Sequence, residues 1–152
     1  MKTSTRTAIV TGGASGIGKA IVARLARDGI AVAVADKDEK QAAEVASNIQ
    51  NGSQIMSVGV DVSDRTSVEN MIELSHERLG SLDILICNAG IMDRAPFMEM
   101  EENFWDNVLN TNLGGVFRCS QVAARYMIAG SRGGRIVNVA SNSGIFGGRG
   151  RA

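Results

Sequence analysis

The sequence predicts an α/β protein built on a doubly wound parallel β-sheet, and three observations support that prediction. Five short apolar segments alternate with amphipathic helical segments along the chain, as expected for parallel strands joined by helical crossovers. The first apolar segment runs into a glycine-rich turn that opens a helix. With 152 residues, 44% of them hydrophobic and no linker or repeat, residues 1–152 are interpreted as a single domain with a substantial core.

The apolar pattern and the turn residues give the order of the elements. Strands are expected at residues 7–10, 30–36, 55–60, 82–87 and 135–140. Helices are expected between them, the later ones at residues 66–79, 101–109 and 113–129, with stop signals at Gly29, Asn51-Gly52, Gly80 and Gly130. Because crossovers between parallel strands are right-handed, the predicted strand order is 3-2-1-4-5.

Apolar residues at helical spacing predict which face of each helix is buried. Trp105, with Phe104 and Leu109, is expected in a helix core. The single histidine, His76, is expected on an exposed helix face, and without a second ligand it indicates no metal site. The buried stripes of the first three helices are predicted to contain Ile17, Ala20, Ile21 and Leu25; Ala42, Val45, Ala46 and Ile49; and Val68, Met71, Ile72 and Leu79.

The composition argues against several classes of protein. Sixteen basic residues balance sixteen acidic residues, which does not favour binding to nucleic acid or to an anionic membrane. No apolar run reaches the roughly 20 residues that a membrane-spanning helix needs, and residues 1–6 lack the apolar core of a signal peptide. Cys87 and Cys119 lie in apolar segments, so both are interpreted as free thiols of a protein in a reducing, cytoplasmic compartment.

The glycine-rich turn is typical of a dinucleotide site. Residues 8–18 read Ala-Ile-Val-Thr-Gly-Gly-Ala-Ser-Gly-Ile-Gly. Gly12 allows the tight turn, Gly16 lets the backbone approach a pyrophosphate, and Gly18 lets helix and strand pack closely. The helix that follows would present its N–H groups to the phosphates. The alternative is a tight strand–helix turn that binds no ligand.

An acidic residue at the end of the second strand indicates which dinucleotide is bound. Asp36 is placed to accept hydrogen bonds from the adenosine ribose hydroxyls, and its charge would repel a 2′-phosphate. Ser15, rather than an arginine, occupies the variable position of the glycine turn. Both features favour NAD over NADP, while Lys37 is the one charge that argues against this. The alternative for Asp36 is an acid that initiates the next helix.

The ends of the third and fourth strands carry two further candidate contacts. Asp61 could accept the adenine amino group while Val62 donates its backbone amide; the alternative for Asp61 is an N-cap, which Ser63 or Asp64 could also provide. The fourth strand ends in residues 88–90, Asn-Ala-Gly, whose last two residues are small enough for backbone to pass under a nicotinamide ribose. Asn88 alone could be only a turn residue.

The chain resembles the short-chain dehydrogenase/reductase family over essentially its whole length. Five motifs in the family's order and spacing carry the resemblance. They are the glycine turn from Thr11 to Gly18, Asp61, the Asn88-Ala89-Gly90 segment, Asn112 within Asn110-Thr111-Asn112-Leu113, and Ser141 at the end of Ile136-Val137-Asn138-Val139-Ala140-Ser141. The resemblance implies a Rossmann-type fold and a nicotinamide cofactor.

The resemblance also implies roles for individual residues. Asp36 would hold the adenine ribose, Asp61 and Val62 the adenine, and Asn88 would lie on the nicotinamide side. The main-chain carbonyl of Asn112 would anchor a proton-relay water, although from the residues alone Asn112 could equally cap a helix. Ser141 would hydrogen-bond the substrate oxygen, and its alternative is a serine that caps a turn after a strand. The residues implied at the pyrophosphate and nearby ribose are Gly12, Ser15, Gly16, Ile17 and Gly18.

One family motif is missing from the sequence. Members carry Tyr-x-x-x-Lys on the next helix, further from the serine than Ala152 lies here, and the only tyrosine, Tyr126, is followed four residues later by Gly130. Hydride transfer to a ketone needs a proton donor, which the family tyrosine supplies. We therefore expect the N-terminal part of a longer NAD-dependent oxidoreductase of secondary alcohols and ketones, inactive as it stands and without the family's last strands. The alternatives are an inactive NAD-binding module and a fragment that pairs with a complementary chain.

The sequence also suggests surfaces for association. The strand at residues 135–140 is expected to be an open edge of the sheet. By resemblance, the helix at residues 113–129 packs against a further helix in a dimer, so the parent protein is expected to be a homodimer or homotetramer. The face expected to be exposed contains Val116, Cys119, Ala123, Tyr126 and Met127.

Overall fold

A five-stranded parallel sheet organises the computed structural model, which describes residues 5–49, 52–92 and 95–146. The strands follow the order β3-β2-β1-β4-β5, and all four pairings are parallel, which confirms the predicted topology. The last two strands are shorter than expected, because β4 begins at Ile84 and β5 ends at Asn138. The strands are β1 (Thr7–Thr11), β2 (Ala31–Asp36), β3 (Ile55–Gly59), β4 (Ile84–Cys87) and β5 (Arg135–Asn138).

Among the described residues, five α-helices cover the sheet. They are α1 (Gly16–Arg27), α2 (Glu39–Asn48), α3 (Arg65–Leu79), α4 (Glu102–Leu109) and α5 (Gly115–Ala129). A π-helical turn, Asn110–Gly114, joins α4 directly to α5, so the predicted gap between these helices is a widened turn of one continuous helical segment. Short 3-10 turns lie at Phe97–Glu99 and Asn142–Gly144.

Two apolar cores lie on opposite faces of the sheet, as a doubly wound fold requires. On one face α1 and α2 pack over β1 and β2, with Val22 and Val34 fully buried. On the other face α3 and α5 pack over β1 and β4, and Met71 and Leu85 are fully buried there. The predicted stripes of α2 and α3 are confirmed, since all eight of their residues belong to these two cores or pack against them. Cys87 and Cys119 are free and buried.

The predicted face of α1 is correct in part. Ile21 and Leu25 are half-buried and pack against the core, as predicted, whereas Ile17 is 66% exposed and Ala20 is also exposed. The fully buried residues of α1 are Gly18, Val22 and Ala26.

The predicted exposed face of α5 is instead its packing face. Cys119 and Ala123 are fully buried, Met127 is 7% exposed, and Val116 and Tyr126 pack partly buried against the same core. This face lies on β4 and α3, and the exposed apolar residues of α5 lie elsewhere, at Phe117 and Ile128.

Three single residues also differ from expectation. Trp105 and Leu109 were expected in a helix core but are 46% and 40% exposed, and α4 contains no buried residue. His76 is half-buried rather than exposed, and its ring centroid lies 5.1 Å from that of Tyr126. The aromatic contact therefore connects α3 to α5.

Some expectations concern the edges of the described regions. As predicted, β5 lies at one edge of the sheet, and all four of its residues are exposed. The predicted stop at Asn51 and the glycine- and arginine-rich residues 147–151 lie outside the described residues. Within residues 5–49, 52–92 and 95–146, no helix is long and apolar enough to cross a membrane.

Candidate functional site

A cavity of about 590 Å³ opens at the carboxyl ends of β1, β2, β3 and β4. This volume lies within the range of small-molecule sites, and the position is where doubly wound sheets bind ligands. Ten of the eleven residues predicted to contact a cofactor line the cavity. The exception is Gly18, which is buried beneath it.

A glycine occupies each of three positions in the turn for a different structural reason. Gly12 has a positive φ of +63°, and a Cβ there would lie 2.9 Å from the Ala89 Cα. Gly16 has a φ of +50° and faces open space, since nothing lies within 4 Å of a Cβ built on it. A Cβ on Gly18 would overlap the Gly12 carbonyl oxygen at 2.0 Å. Gly16 therefore leaves room at the cavity, and Gly18 permits the close packing that was predicted.

The N-terminus of α1 faces this cavity without an acidic cap. Asp38 caps α2 by accepting the Gln41 N–H, and Asp64 caps α3 by accepting the Thr66 and Ser67 N–H groups. In α1 the N-cap residue is Ser15, whose side chain makes no capping hydrogen bond, and the first turn contains no acidic residue. The unpaired N–H groups and the positive end of the helix dipole therefore remain available to an anion.

Asp36 connects the glycine turn to the end of β2. Its Oδ2 accepts the Ala14 N–H at 3.0 Å, and its Oδ1 accepts the Asp38 N–H at 3.1 Å. The bond to the Asp38 N–H lies in the turn that leads into α2, which agrees with the alternative of an acid that initiates the next helix, although the N-cap itself is Asp38. Each carboxylate oxygen keeps a second lone pair, so the half-exposed side chain can still accept hydrogen bonds from a ligand in the cavity.

Asp61 is held by three donors just after β3, where the third crossover begins. Its Oδ1 accepts the Ser63 N–H at 2.9 Å and the Ser63 hydroxyl at 2.6 Å, while its Oδ2 accepts the Lys37 ammonium at 2.7 Å. The Lys37 hydrogen bond, followed by those of Ser63, lowers the pKa of Asp61 from its ordinary 3.8 to about 2. Asp64 caps α3, so the alternative of Asp61 as the cap is wrong.

A hydroxyl and an amide hold the ends of β1 and β4 together. The buried Thr11 Oγ1 accepts the Asn88 and Ala89 N–H groups, each at 3.1 Å, and donates to the Ile86 carbonyl at 3.3 Å. The Asn88 Nδ2 donates to the Thr11 and Gly12 carbonyls at 3.1 and 3.0 Å. Asn88 therefore stabilises the glycine turn from below while also lining the cavity.

Asn112 lies inside the π-helical turn and contacts the loop after β4. Its Oδ1 accepts the Ile91 N–H and its Nδ2 donates to the Ile91 carbonyl, both at 2.8 Å. A Cβ on Gly90 would lie 3.2 Å from the Asn112 Oδ1, so a side chain there would press on this contact. Because the helix continues through Asn112, the alternative of a helix cap is wrong. Asn112 itself is outside the cavity lining.

Ser141 also lies outside the cavity lining. It is exposed after β5, and its Oγ accepts the Ser143 N–H at 3.1 Å, which caps the turn Asn142–Gly144. This geometry agrees with the turn-capping alternative. The hydroxyl proton of Ser141 is not used by that bond.

Six lining residues were not among the predicted contacts: Lys37, Val60, Ser63, Ile91, Asn107 and Thr111. Five of them adjoin predicted residues in the sequence, so extending each motif by one residue would have found them. The sixth, Asn107, lies four residues before Thr111 in a helical segment, which was the available signal. In the part of the chain that the structure describes, no group of three or more His, Cys, Asp or Glu residues could hold a metal ion.

Comparisons with known proteins agree with this architecture. The sequence model of the short chain dehydrogenase family matches residues 6–152. The chain is 40% identical over 147 residues to 3beta-hydroxysteroid dehydrogenase 2 of Eggerthella lenta, covering 95% of this chain and 56% of that protein. It is 38% identical over 144 residues to a sorbitol dehydrogenase of Cereibacter sphaeroides, covering 95% of this chain and 56% of the relative.

The fold comparison gives the same result. The crystal structure of a short chain dehydrogenase from Mycobacterium smegmatis superimposes with a TM-score of 0.93 at 30% identity, covering 97% of this chain and 63% of that one. The chain thus spans between half and two thirds of the length of these relatives. Sequence, strand order and the glycine-rich cavity agree: the chain belongs to the short-chain dehydrogenase family.

Proposed function

We propose that the cavity binds NAD(H), and that the whole protein transfers hydride between NAD(H) and a secondary alcohol or ketone. The observation that carries the proposal is the uncapped N-terminus of α1, which faces a cavity bordered by Gly12, Gly16 and Asp36. A pyrophosphate would accept the free N–H groups of the first turn. The open space at Gly16 lets it approach them.

The preference for NAD over NADP rests on charge at the adenosine end. The Asp36 carboxylate can accept hydrogen bonds from ribose hydroxyls, but it would repel a phosphate placed on the same ribose. Asp61 would accept the adenine amino group, and Val62, whose side chain is 6% exposed, would offer its backbone amide. Asn88, Ala89 and Gly90 would lie along the nicotinamide half.

Residues outside the cavity lining would act on the substrate side. NAD supplies the hydride acceptor when it is bound. Ser141 would donate its unused hydroxyl proton to the substrate oxygen, since its Oγ only accepts in the turn. The main-chain carbonyl of Asn112 would hold a relay water, while its side chain fixes Ile91 at the cavity. The similar relatives are named for a hydroxysteroid and for sorbitol, which supports a small hydroxyl-bearing substrate.

A second function, an NAD-binding module without turnover, is favoured by the position of Tyr126. Its ring packs against His76 between α5 and α3, away from the cavity lining, and Gly130 rather than a lysine follows four residues later. No residue of the described cavity lining is a tyrosine or a histidine. We therefore expect the chain by itself to bind cofactor without oxidising alcohols.

The setting of the protein follows from the same features. Two buried free thiols suit a reducing compartment, so we place the protein in the cytoplasm. We expect the whole protein to form a homodimer or homotetramer, since Phe117 and Ile128 of α5 expose apolar surface and β5 is an edge strand.

Calorimetric titration of the chain with NAD and with NADP tests the proposal. NAD is expected to bind more tightly, and Asp36→Ala is expected to weaken NAD by about 1–3 kcal/mol through lost hydrogen bonds to a charged group. Asp38→Ala is the matched control, because it removes the cap of α2 two residues away and does not line the cavity. Equal or tighter binding of NADP, or equal effects of the two substitutions on NAD, would contradict the proposal.

A further inference from the structure

We propose that Asp61 selects NAD against NADP by holding Lys37 away from a phosphate on the adenosine ribose. This inference rests on the proposed function, because it concerns the adenosine end of the same cavity. Lys37 follows Asp36 directly and is the one cation among the described residues that line the cavity. Left unpaired, it would be the natural partner of a 2′-phosphate and would oppose the effect of Asp36.

The geometry fixes the lysine away from that position. Asp36 pairs with Gly59 across β2 and β3, so Lys37 and Asp61 each lie just beyond the paired ends of neighbouring strands. The Lys37 Nζ reaches across this gap to the Asp61 Oδ2 at 2.7 Å. The other oxygen of Asp61 is held by the N–H and hydroxyl of Ser63. The carboxylate is thus anchored to its own loop and cannot follow the lysine toward a ligand.

The charge balance points in the same direction. The Lys37 ammonium pairs with Asp61, and Asp36 is a second carboxylate in the same cavity lining, so these three side chains carry a net negative charge. A ribose with free hydroxyls tolerates this charge, whereas a phosphate does not. The Oδ2 of Asp61 keeps a second lone pair, so pairing with Lys37 still leaves an acceptor for the adenine amino group.

The solvent exposure of Lys37 limits how much its release can change the ratio of NADP affinity to NAD affinity. The Lys37 side chain is 79% exposed, and ion pairs at the surface are weak because water and salt screen them. Releasing the lysine is therefore expected to raise the ratio of NADP affinity to NAD affinity by roughly fivefold. This ratio is the appropriate readout, since contacts to adenine are common to both cofactors and cancel.

A double-mutant cycle distinguishes masking of Lys37 from simple addition of charges. The variants are Asp61→Asn, Lys37→Met and the double substitution, each titrated with NAD and NADP by calorimetry. Asp61→Asn is conservative, because the amide oxygen can still accept both hydrogen bonds from Ser63. It is expected to raise the affinity ratio, and adding Lys37→Met is expected to cancel that rise.

The single variant Lys37→Met provides an independent measurement should Asp61→Asn fold poorly. Masking predicts that it leaves the ratio within about twofold of the wild type, because the lysine is already engaged. A ratio that Asp61→Asn leaves unchanged, or that Lys37→Met lowers equally in both backgrounds, overturns the inference while leaving NAD binding intact. If the wild-type chain binds neither dinucleotide, the proposed function fails and the inference fails with it.

Discussion

Replacing Thr11 by valine is expected to destabilise the protein far more than its small change in shape suggests. Thr11 is 1% exposed, and its hydroxyl accepts the N–H groups of both Asn88 and Ala89. Valine keeps the volume but leaves both donors without a partner. An unmade hydrogen bond costs roughly 1–3 kcal/mol, and water reaches these half-buried residues in part, so the expected loss is about 2–4 kcal/mol.

Thr11→Ser is the matched control, because serine keeps the hydroxyl and removes one methyl group, at a cost of about 1 kcal/mol. Urea unfolding followed by circular dichroism gives the free energy of unfolding of both variants, with unchanged slopes as the sign of comparable transitions. If Thr11→Val is no less stable than Thr11→Ser, the Thr11 hydroxyl does not stabilise the protein as proposed. Thr11→Val is also expected to weaken cofactor binding, since Asn88 and Ala89 line the cavity.

Three further predictions concern the turn, the acid response and turnover. Gly18→Ala is expected to destabilise the chain by about 3 kcal/mol or more, because the added Cβ overlaps the Gly12 carbonyl oxygen. Gly16→Ala lies in open space at φ +50° and is expected to cost only about 1–2 kcal/mol. Equal unfolding midpoints for the two variants would contradict this. Because the pKa of Asp61 is about 2 in the folded chain against an ordinary 3.8, the stability that it contributes is complete above about pH 4 and is lost as the pH falls through about 2. Asp61→Asn should flatten that part of the pH profile of the unfolding midpoint, and an unchanged profile would refute the assignment. The chain alone is expected not to reduce NAD with secondary alcohols at alkaline pH; turnover that Ser141→Ala abolishes would show that another group moves the proton.

The topology was predictable because each strand end in this chain carries its own local signal. The glycine turn, the Asp38 cap and the left-handed Gly80 are short-range features, and the structure contains all three. Right-handed crossovers then leave one simple strand order, which the structure adopts.

The helix faces were less predictable, because they depend on how closely a helix approaches the sheet. In α1 the fully buried positions are those of Gly18, Val22 and Ala26, whereas Leu25 of the predicted face is half-buried and Ala20 is exposed. The apolar stripe of α5 was correctly found at Cys119 and its neighbours. Its exposure was inferred from the family's dimer contacts, whereas packing on β4 and α3 buries it.

The residues that line the cavity were predicted by type, but their hydrogen-bond partners within the protein were not. Asp36 and Asp61 lie where their spacing placed them, yet both already accept hydrogen bonds within the protein. The contact between Lys37 and Asp61 crosses two strand ends that are distant in sequence, so no local pattern indicates it. The hydrogen bonds between the Asn112 side chain in the π-helical turn and the Ile91 backbone likewise join segments 21 residues apart, so no local pattern indicates them.

The claim that NAD binds in this cavity is tested most directly by mapping bound NAD through the amide resonances of ¹⁵N-labelled protein. We expect NAD to shift the amide resonances of Gly16, Ile17 and Val62, which line the cavity at the carboxyl ends of the strands. The amide of Arg135, at the opposite end of the sheet, should not move. Shifts confined to residues around Arg135, or no shifts at saturating NAD, would contradict the claim that this cavity holds the cofactor.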